Sequence, residues 1–145
     1  MRFNHFCITV KDMERSLVFY RDALGLKVTI DERISGPDLD KAVMESGARL
    51  RMVMLSDEAE SLPVELVEWK SRPPIERPPE HLGFSSTGLG EICFSVPDLE
   101  KLEENLKKHG FEFRTRPWMF EVMGVQAKVT HAVDPDGVQV ELIEV

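Results

Sequence analysis

Hydrophobic and polar residues alternate along the start of the chain. Phe6, Ile8 and Val10 share one parity, and His5, Cys7 and Thr9 share the other. A period of two is the signature of a strand with one buried face, so residues 3–10 are read as a strand. The period then changes. Between Met13 and Leu24 the apolar residues Leu17, Val18, Phe19 and Leu24 lie on a helical stripe, Asp12 stands where an N-cap belongs, and Gly25 supplies the stop. Strand-like runs follow at Leu26–Arg33, Leu50–Leu55 and Val64–Trp69, and Ser35–Ser46 is read as a short helix or a loop insertion.

The same order of patterns then returns. Asp98 caps a helix over Leu99–His109, with Leu99, Leu102 and Leu106 at helical spacing and Gly110 as its stop. Strand-like runs follow at Phe111–Thr115, Ala127–Val133 and Val138–Val145. Asp134-Pro135-Asp136-Gly137 between the last two predicts a hairpin turn, because Pro presets φ and Gly accepts positive φ. The likeness extends to the letters. His5-Phe6-Cys7-Ile8-Thr9-Val10-Lys11-Asp12-Met13-Glu14-Arg15 lies over Glu91-Ile92-Cys93-Phe94-Ser95-Val96-Pro97-Asp98-Leu99-Glu100-Lys101, and Cys, Val, Asp and Glu coincide. The halves close on Val64-Glu65-Leu66-Val67-Glu68 and Val140-Glu141-Leu142-Ile143-Glu144. The period is too long for a solenoid unit and reads as a duplicated module. The expected fold class is α+β, with one domain over 1–145 made of two paired βαβββ modules. Module 1 covers about 1–70, a Pro- and Gly-containing linker about 71–90, and module 2 about 91–145.

Composition narrows the functional classes. The 145 residues carry 18 Lys plus Arg against 26 Asp plus Glu, a net charge of −8, which disfavours a nucleic-acid partner. The sequence contains no run of roughly 18 apolar residues, so no membrane span is expected. The chain enters its first strand without room for a signal peptide, and its two cysteines form neither a disulfide framework nor a zinc motif. A cytoplasmic protein is therefore expected.

Alternation also sorts the polar side chains. Phe6, Ile8 and Val10, with Leu66, are expected to face the helix of module 1, and Ile92, Phe94 and Val96, with Val140 and Leu142, that of module 2. His5 and Glu65, and Glu91 and Glu141, then point away from the helices. If the two modules pair, these faces curve around one cavity holding a histidine and three carboxylates. Imidazole and carboxylate donors suit a divalent ion such as Mn, Fe, Co, Ni or Zn. An open coordination position would allow Lewis-acid polarisation of a carbonyl or activation of water.

These residues resemble the vicinal oxygen chelate superfamily, which includes glyoxalase I, methylmalonyl-CoA epimerase, extradiol dioxygenases, and bleomycin and fosfomycin resistance proteins. The resemblance is carried by Asn4-His5-Phe6-Cys7-Ile8-Thr9-Val10-Lys11-Asp12, by Phe19-Tyr20-Arg21-Asp22-Ala23-Leu24-Gly25-Leu26, and by Asp134-Pro135-Asp136-Gly137-Val138-Gln139-Val140-Glu141-Leu142. It implies an incomplete barrel around a metal whose ligands come from the first and last strands of each module. In this chain those positions are His5, Glu65, Glu91 and Glu141. It further implies a metal-dependent glyoxalase-like lyase, isomerase or epimerase, of the lactoylglutathione lyase kind. The substrate would be a small carbonyl compound with vicinal oxygens, and Glu91 or Glu141 would move the proton. A homodimer is expected by the same analogy. One departure stands out: metal-dependent relatives usually carry His where this chain has Glu91. The missing second histidine disfavours a ring-cleaving dioxygenase. It leaves a metal-free small-molecule binding or drug-sequestering protein of the bleomycin-resistance type as the alternative.

Other residues have blander expectations. Cys7 and Cys93 are read as buried small residues, and Glu68 and Glu144 as exposed strand-end residues. Arg49, Arg51 and Arg72 are read as solvated surface. His81 is nominally available, and His109 is read as a helix-end residue favoured by the dipole. His131 lies beside the closing strand, but parity does not place it. Trp69, Trp118 and Phe120 are candidates for an apolar pocket wall or for core packing.

Overall fold

In the computed structural model the chain divides into two units, Met1–Ile75 and Glu76–Val145. The structure describes residues 1, 3–57, 63–78, 85–122 and 124–144. His81 lies outside the described residues.

The first unit comprises β1 (Phe6–Val10), α1 (Met13–Leu17), β2 (Lys27–Ser35), α2 (Pro37–Val43), β3 (Arg49–Ser56) and β4 (Val64–Trp69). Its sheet has the order β1-β4-β3-β2; β1 and β4 are parallel, and the other pairs antiparallel. The alternation read in the sequence is realised: Ile8 and Val10 are buried while Cys7 and Thr9 are exposed. The buried face meets Met13, Leu17, Phe19 and Tyr20, and Val53, Leu55, Val64 and Leu66 complete this core. Asp12 caps α1 by accepting from the Arg15 amide at 3.1 Å. The helix then widens into a π-helical stretch over Val18–Ala23, in which the Leu24 amide donates to the Phe19 carbonyl. Gly25, at φ +86°, ends it in a conformation that other residues rarely adopt. The Ser35–Ser46 stretch contains α2, with Pro37 in its first turn.

The second unit repeats the plan with β5 (Ile92–Val96), α3 (Leu99–Lys108), β6 (Trp118–Val122), β7 (Val125–Val133) and β8 (Gln139–Glu144). Its order is β5-β8-β7-β6, again with the outer pair β5 and β8 parallel. Ile92, Leu99, Leu106, Ala132, Val140 and Leu142 are buried. Asp98 caps α3 by accepting from the Lys101 amide at 3.0 Å, and Glu144 accepts from the Leu99 amide at 2.7 Å. The predicted turn is tied by Asp134, whose carboxylate accepts from the amides of Asp136 and Val138, and Gly137 takes φ +93°. Each unit is thus an α+β module with an open four-stranded mixed sheet.

One expected strand is displaced. Phe111–Thr115 forms no strand, and the edge strand is Trp118–Val122 instead. The Phe111–Thr115 run is strand-like in sequence. In its place the Arg114 amide donates to the His131 carbonyl at 2.6 Å, and the His131 amide donates to the Thr115 hydroxyl at 3.1 Å. A side-chain oxygen thus takes the acceptor place of a ladder carbonyl, and regular pairing starts only past Pro117.

Candidate functional site

The sheet registers bring the predicted residues together in pairs, one pair in each unit. In the first unit, Cys7 pairs with Glu65 across β1 and β4, and Glu65 lies opposite Met54 on β3. His5 immediately precedes β1 on the same parity, and its Nε2 lies 3.5 Å from a Glu65 carboxylate oxygen. In the second unit, Cys93 pairs with Glu141 across β5 and β8, and Glu141 lies opposite His131 on β7. Glu91 immediately precedes β5, with an oxygen 3.4 Å from His131 Nε2. The repeat thus aligns two cross-strand rows, Cys7–Glu65–Met54 and Cys93–Glu141–His131.

This alignment bears on the departure noted at Glu91. The first unit has its histidine at the head of the first strand, at His5. The second has glutamate there and places histidine on the third strand, at His131, where the first unit has Met54. Each unit therefore presents an imidazole beside carboxylate. Strand parity alone does not place His131. The signal that locates it is the turn, because pairing of Asp134 with Val138 sets His131 opposite Glu141.

Among the described residues, Glu91, His131 and Glu141 form the group of three ligand-type side chains close enough to share an ion, each offering a donor atom within 4.8 Å of the others. All three are half-buried. The buried oxygen of Glu91, Oε2, makes no hydrogen bond of ordinary geometry, and its neighbour is His131 Nε2 at 3.4 Å. Desolvation and the neighbouring Glu141 charge raise the Glu91 pKa above its ordinary value, and His131 partly opposes them. A divalent cation fits such a set: it would offset the desolvation of Glu91 and the repulsion between the carboxylates, and accept one nitrogen and two oxygen donors.

The remaining candidates offer the ion no donor in this group. Cys7 and Cys93 are exposed, not buried as expected, because both belong to the face turned away from the helices. Their thiols are nonetheless pushed up to about 12, first by desolvation, then by hydrogen bonding to Glu65 and Glu141 and by the charges of those carboxylates. They stay protonated at neutral pH and are poor nucleophiles. Glu68 and Glu144 are half-buried rather than exposed: Glu68 pairs with Lys70, and Glu144 serves α3. Arg51 is held by Asp31 and Glu14. Arg72 packs over the Trp69 ring at 4.3 Å and pairs with Glu45. His109 ends α3, its Nδ1 at 2.8 Å from the Asn105 carbonyl oxygen. Trp118 stacks on His131 with ring centroids 5.6 Å apart and planes inclined by 22°. Phe120 follows it on the same face of β6 and is exposed.

Two βαβββ modules with ligand-type residues at the repeated strand positions define a class. The chain matches the Glyoxalase/Bleomycin resistance protein/Dioxygenase superfamily over residues 2–142, and it belongs to that family. It is 30% identical over 159 residues to a lactoylglutathione lyase of Pseudomonas putida, covering 98% of this chain and 84% of that protein. It is 28% identical over 157 residues to glyoxalase I of Saccharomyces cerevisiae, covering 97% of this chain but 44% of that protein. The chain therefore spans about half the length of several of the curated relatives it matches. A glyoxalase family protein from Bacillus cereus superposes with a TM-score of 0.85 at 18% identity, covering 99% of this chain and 93% of that one. Glyoxalase I from Zea mays superposes with a TM-score of 0.66 at 25% identity, covering 97% of this chain and 43% of that one. The kinship supports a lyase-like enzyme at the level of the family. Among the described residues, no helix is long and apolar enough to cross a membrane.

Proposed function

We propose that this protein is a metal-dependent glyoxalase-like lyase, isomerase or epimerase acting on a small carbonyl substrate with vicinal oxygens. The observation that carries the reading is the Glu91–His131–Glu141 group, three half-buried ligand-type side chains whose donor atoms lie within 4.8 Å of one another. Glu91, His131 and Glu141 would hold the ion in the second unit. In the first unit, His5 and Glu65 are the ligand positions that the resemblance implies, and they pair with each other at 3.5 Å. The ion, drawn from Mn, Fe, Co, Ni or Zn, would supply Lewis-acid polarisation of a substrate carbonyl.

The chain's own residues would handle the proton. Glu91 is the proposed general base, accepting the proton from the carbon α to the carbonyl and returning it, with Glu141 as the other carboxylate able to serve. His131 Nε2, 3.4 Å from the Glu91 oxygen, orients that carboxylate. The protonated thiols of Cys7 and Cys93 take no covalent part. A homodimer in the cytoplasm belongs to the same reading.

The test is hydrogen–deuterium exchange followed by NMR in the metal-loaded protein. Substrates to offer are the hemithioacetal of a 2-oxoaldehyde with glutathione, 2-oxo acids and thioesters. Exchange at the carbon α to the carbonyl is expected with one of these classes. Glu91→Gln should slow it by roughly 10²- to 10⁴-fold, the usual contribution of a general base. Absence of exchange in every class, with retained binding of small apolar molecules, would favour the metal-free binding protein instead.

A further inference from the structure

We propose that the Arg114–Trp118 segment is a positioning clamp for His131, fixing its backbone and its ring so that the imidazole is held ready for a metal. This inference rests on the metal-site reading above and names how one of its ligands is kept in place. Arg114 and Thr115 end the stretch where a strand was expected, Trp118 opens β6, and the departure from a ladder before it is what grips the histidine.

The backbone of His131 is held from both sides of the residue. Its carbonyl accepts from the Arg114 amide at 2.6 Å, and its amide donates to the Thr115 hydroxyl at 3.1 Å. That hydroxyl is itself fixed. The Thr130 hydroxyl donates to the Thr115 carbonyl at 2.7 Å, which uses its single proton. The 3.2 Å contact between the two hydroxyls is therefore the Thr115 hydroxyl donating to Thr130. The chain of bonds runs from the His131 amide to the Thr115 hydroxyl, on to the Thr130 hydroxyl, and back to the Thr115 carbonyl. Thr130 is fully buried, so this loop is shielded from competing water.

The ring is held by Trp118. The indole opens β6 on the same face as His131 and lies nearly parallel to the imidazole, at 5.6 Å between centroids. A stacked partner restricts rotation about the second side-chain torsion, which is otherwise broad for histidine. In this orientation Nε2 points toward Glu91. Ligands supported in this way bind metal more tightly, and loss of such support typically weakens binding by roughly 10- to 100-fold. Trp118 and Thr115 are positioning residues in this account, since neither supplies a donor to the ion.

The experiment compares wild type with Trp118→Ala, Trp118→Phe and Thr115→Val, reading two quantities. The first is the His131 ring resonances of the metal-free protein, which the indole should shift upfield and connect to Trp118 by nuclear Overhauser effects. The second is the Co²⁺ dissociation constant, with its ligand-field spectrum. Trp118→Ala should abolish the shift and weaken Co²⁺ binding by roughly 10-fold or more, and Trp118→Phe should restore most of both. Thr115→Val should weaken binding while keeping the ring shift in part. Unchanged His131 resonances, or unchanged Co²⁺ affinity, in both Trp118→Ala and Thr115→Val would overturn the clamp alone. A wild-type protein that shows the stacked imidazole but binds no Co²⁺ would overturn the metal reading, and the clamp's purpose with it.

Discussion

Glu91 is the residue whose energetics depend most on what binds beside it. Its pKa is raised in the fold, first by desolvation and then by Glu141. A carboxyl held above its unfolded value binds its proton more tightly in the native state. Its ionised form therefore destabilises the metal-free protein at neutral pH, and that penalty fades as pH falls through the raised value toward the ordinary 4.5. Glu91→Gln should accordingly stabilise the metal-free protein at pH 7. The partial exposure of the group keeps that gain small. The gain should shrink as pH falls and vanish below the ordinary value of 4.5, as thermal unfolding across that range would show; a constant gain, or one growing toward acid, would contradict this assignment. In the metal-loaded protein the sign should reverse, because the substitution removes a ligand. The residues of this site were unevenly legible. Alternation in β1, β4 and β8 was enough to put His5, Glu65 and Glu141 on the face away from the helices, and Glu91 followed from the repeat. His131 needed the register of the β7–β8 hairpin, which the Asp134–Gly137 turn sets and parity alone does not.

At the scale of elements, the two capped helices differ in a way that can be measured. Asp12 is the side-chain cap of α1, whereas α3 has Asp98 on the Lys101 amide and Glu144 on the Leu99 amide. Asp12→Ala should cost about 1 kcal/mol of unfolding free energy. Asp98→Ala should cost less, because Glu144 still satisfies one of the orphan amides, and adding Glu144→Gln should bring out the missing part. Denaturant titrations of the single and double variants would decide this, and equal losses from the two aspartates would contradict it. Helix starts and stops were readable in the sequence because each rests on one residue type: Asp at the cap, Gly at the end. The widening of the first helix over Val18–Ala23 was not, since no residue there forbids an ordinary α-turn. The strand expected at Phe111–Thr115 failed for a related reason. The run is strand-like in sequence, but the Thr115 hydroxyl took the bond that a ladder carbonyl would have made.

For the whole molecule, duplication was the most legible feature. The coincidence of Cys7 with Cys93, Asp12 with Asp98 and Glu65 with Glu141 is reproduced as two sheets of the same strand order, each with its outer pair parallel. The exchange of histidine between the units was hidden, because His131 stands at the counterpart of Met54, where nothing in either residue type suggests a shared role. The net charge of −8 keeps its meaning only in part, since Glu65, Glu91 and Glu141 are half-buried rather than solvated surface charges. What most needs testing is whether Glu91, His131 and Glu141 hold a metal. The most direct measurement is elemental analysis of protein purified without chelators, then reconstituted with Mn, Fe, Co, Ni or Zn, alongside Glu141→Ala and His131→Ala. About one equivalent of metal is expected in the wild type, and its loss in both variants. No metal near that stoichiometry with any of the five ions, or undiminished metal in both variants, would contradict it.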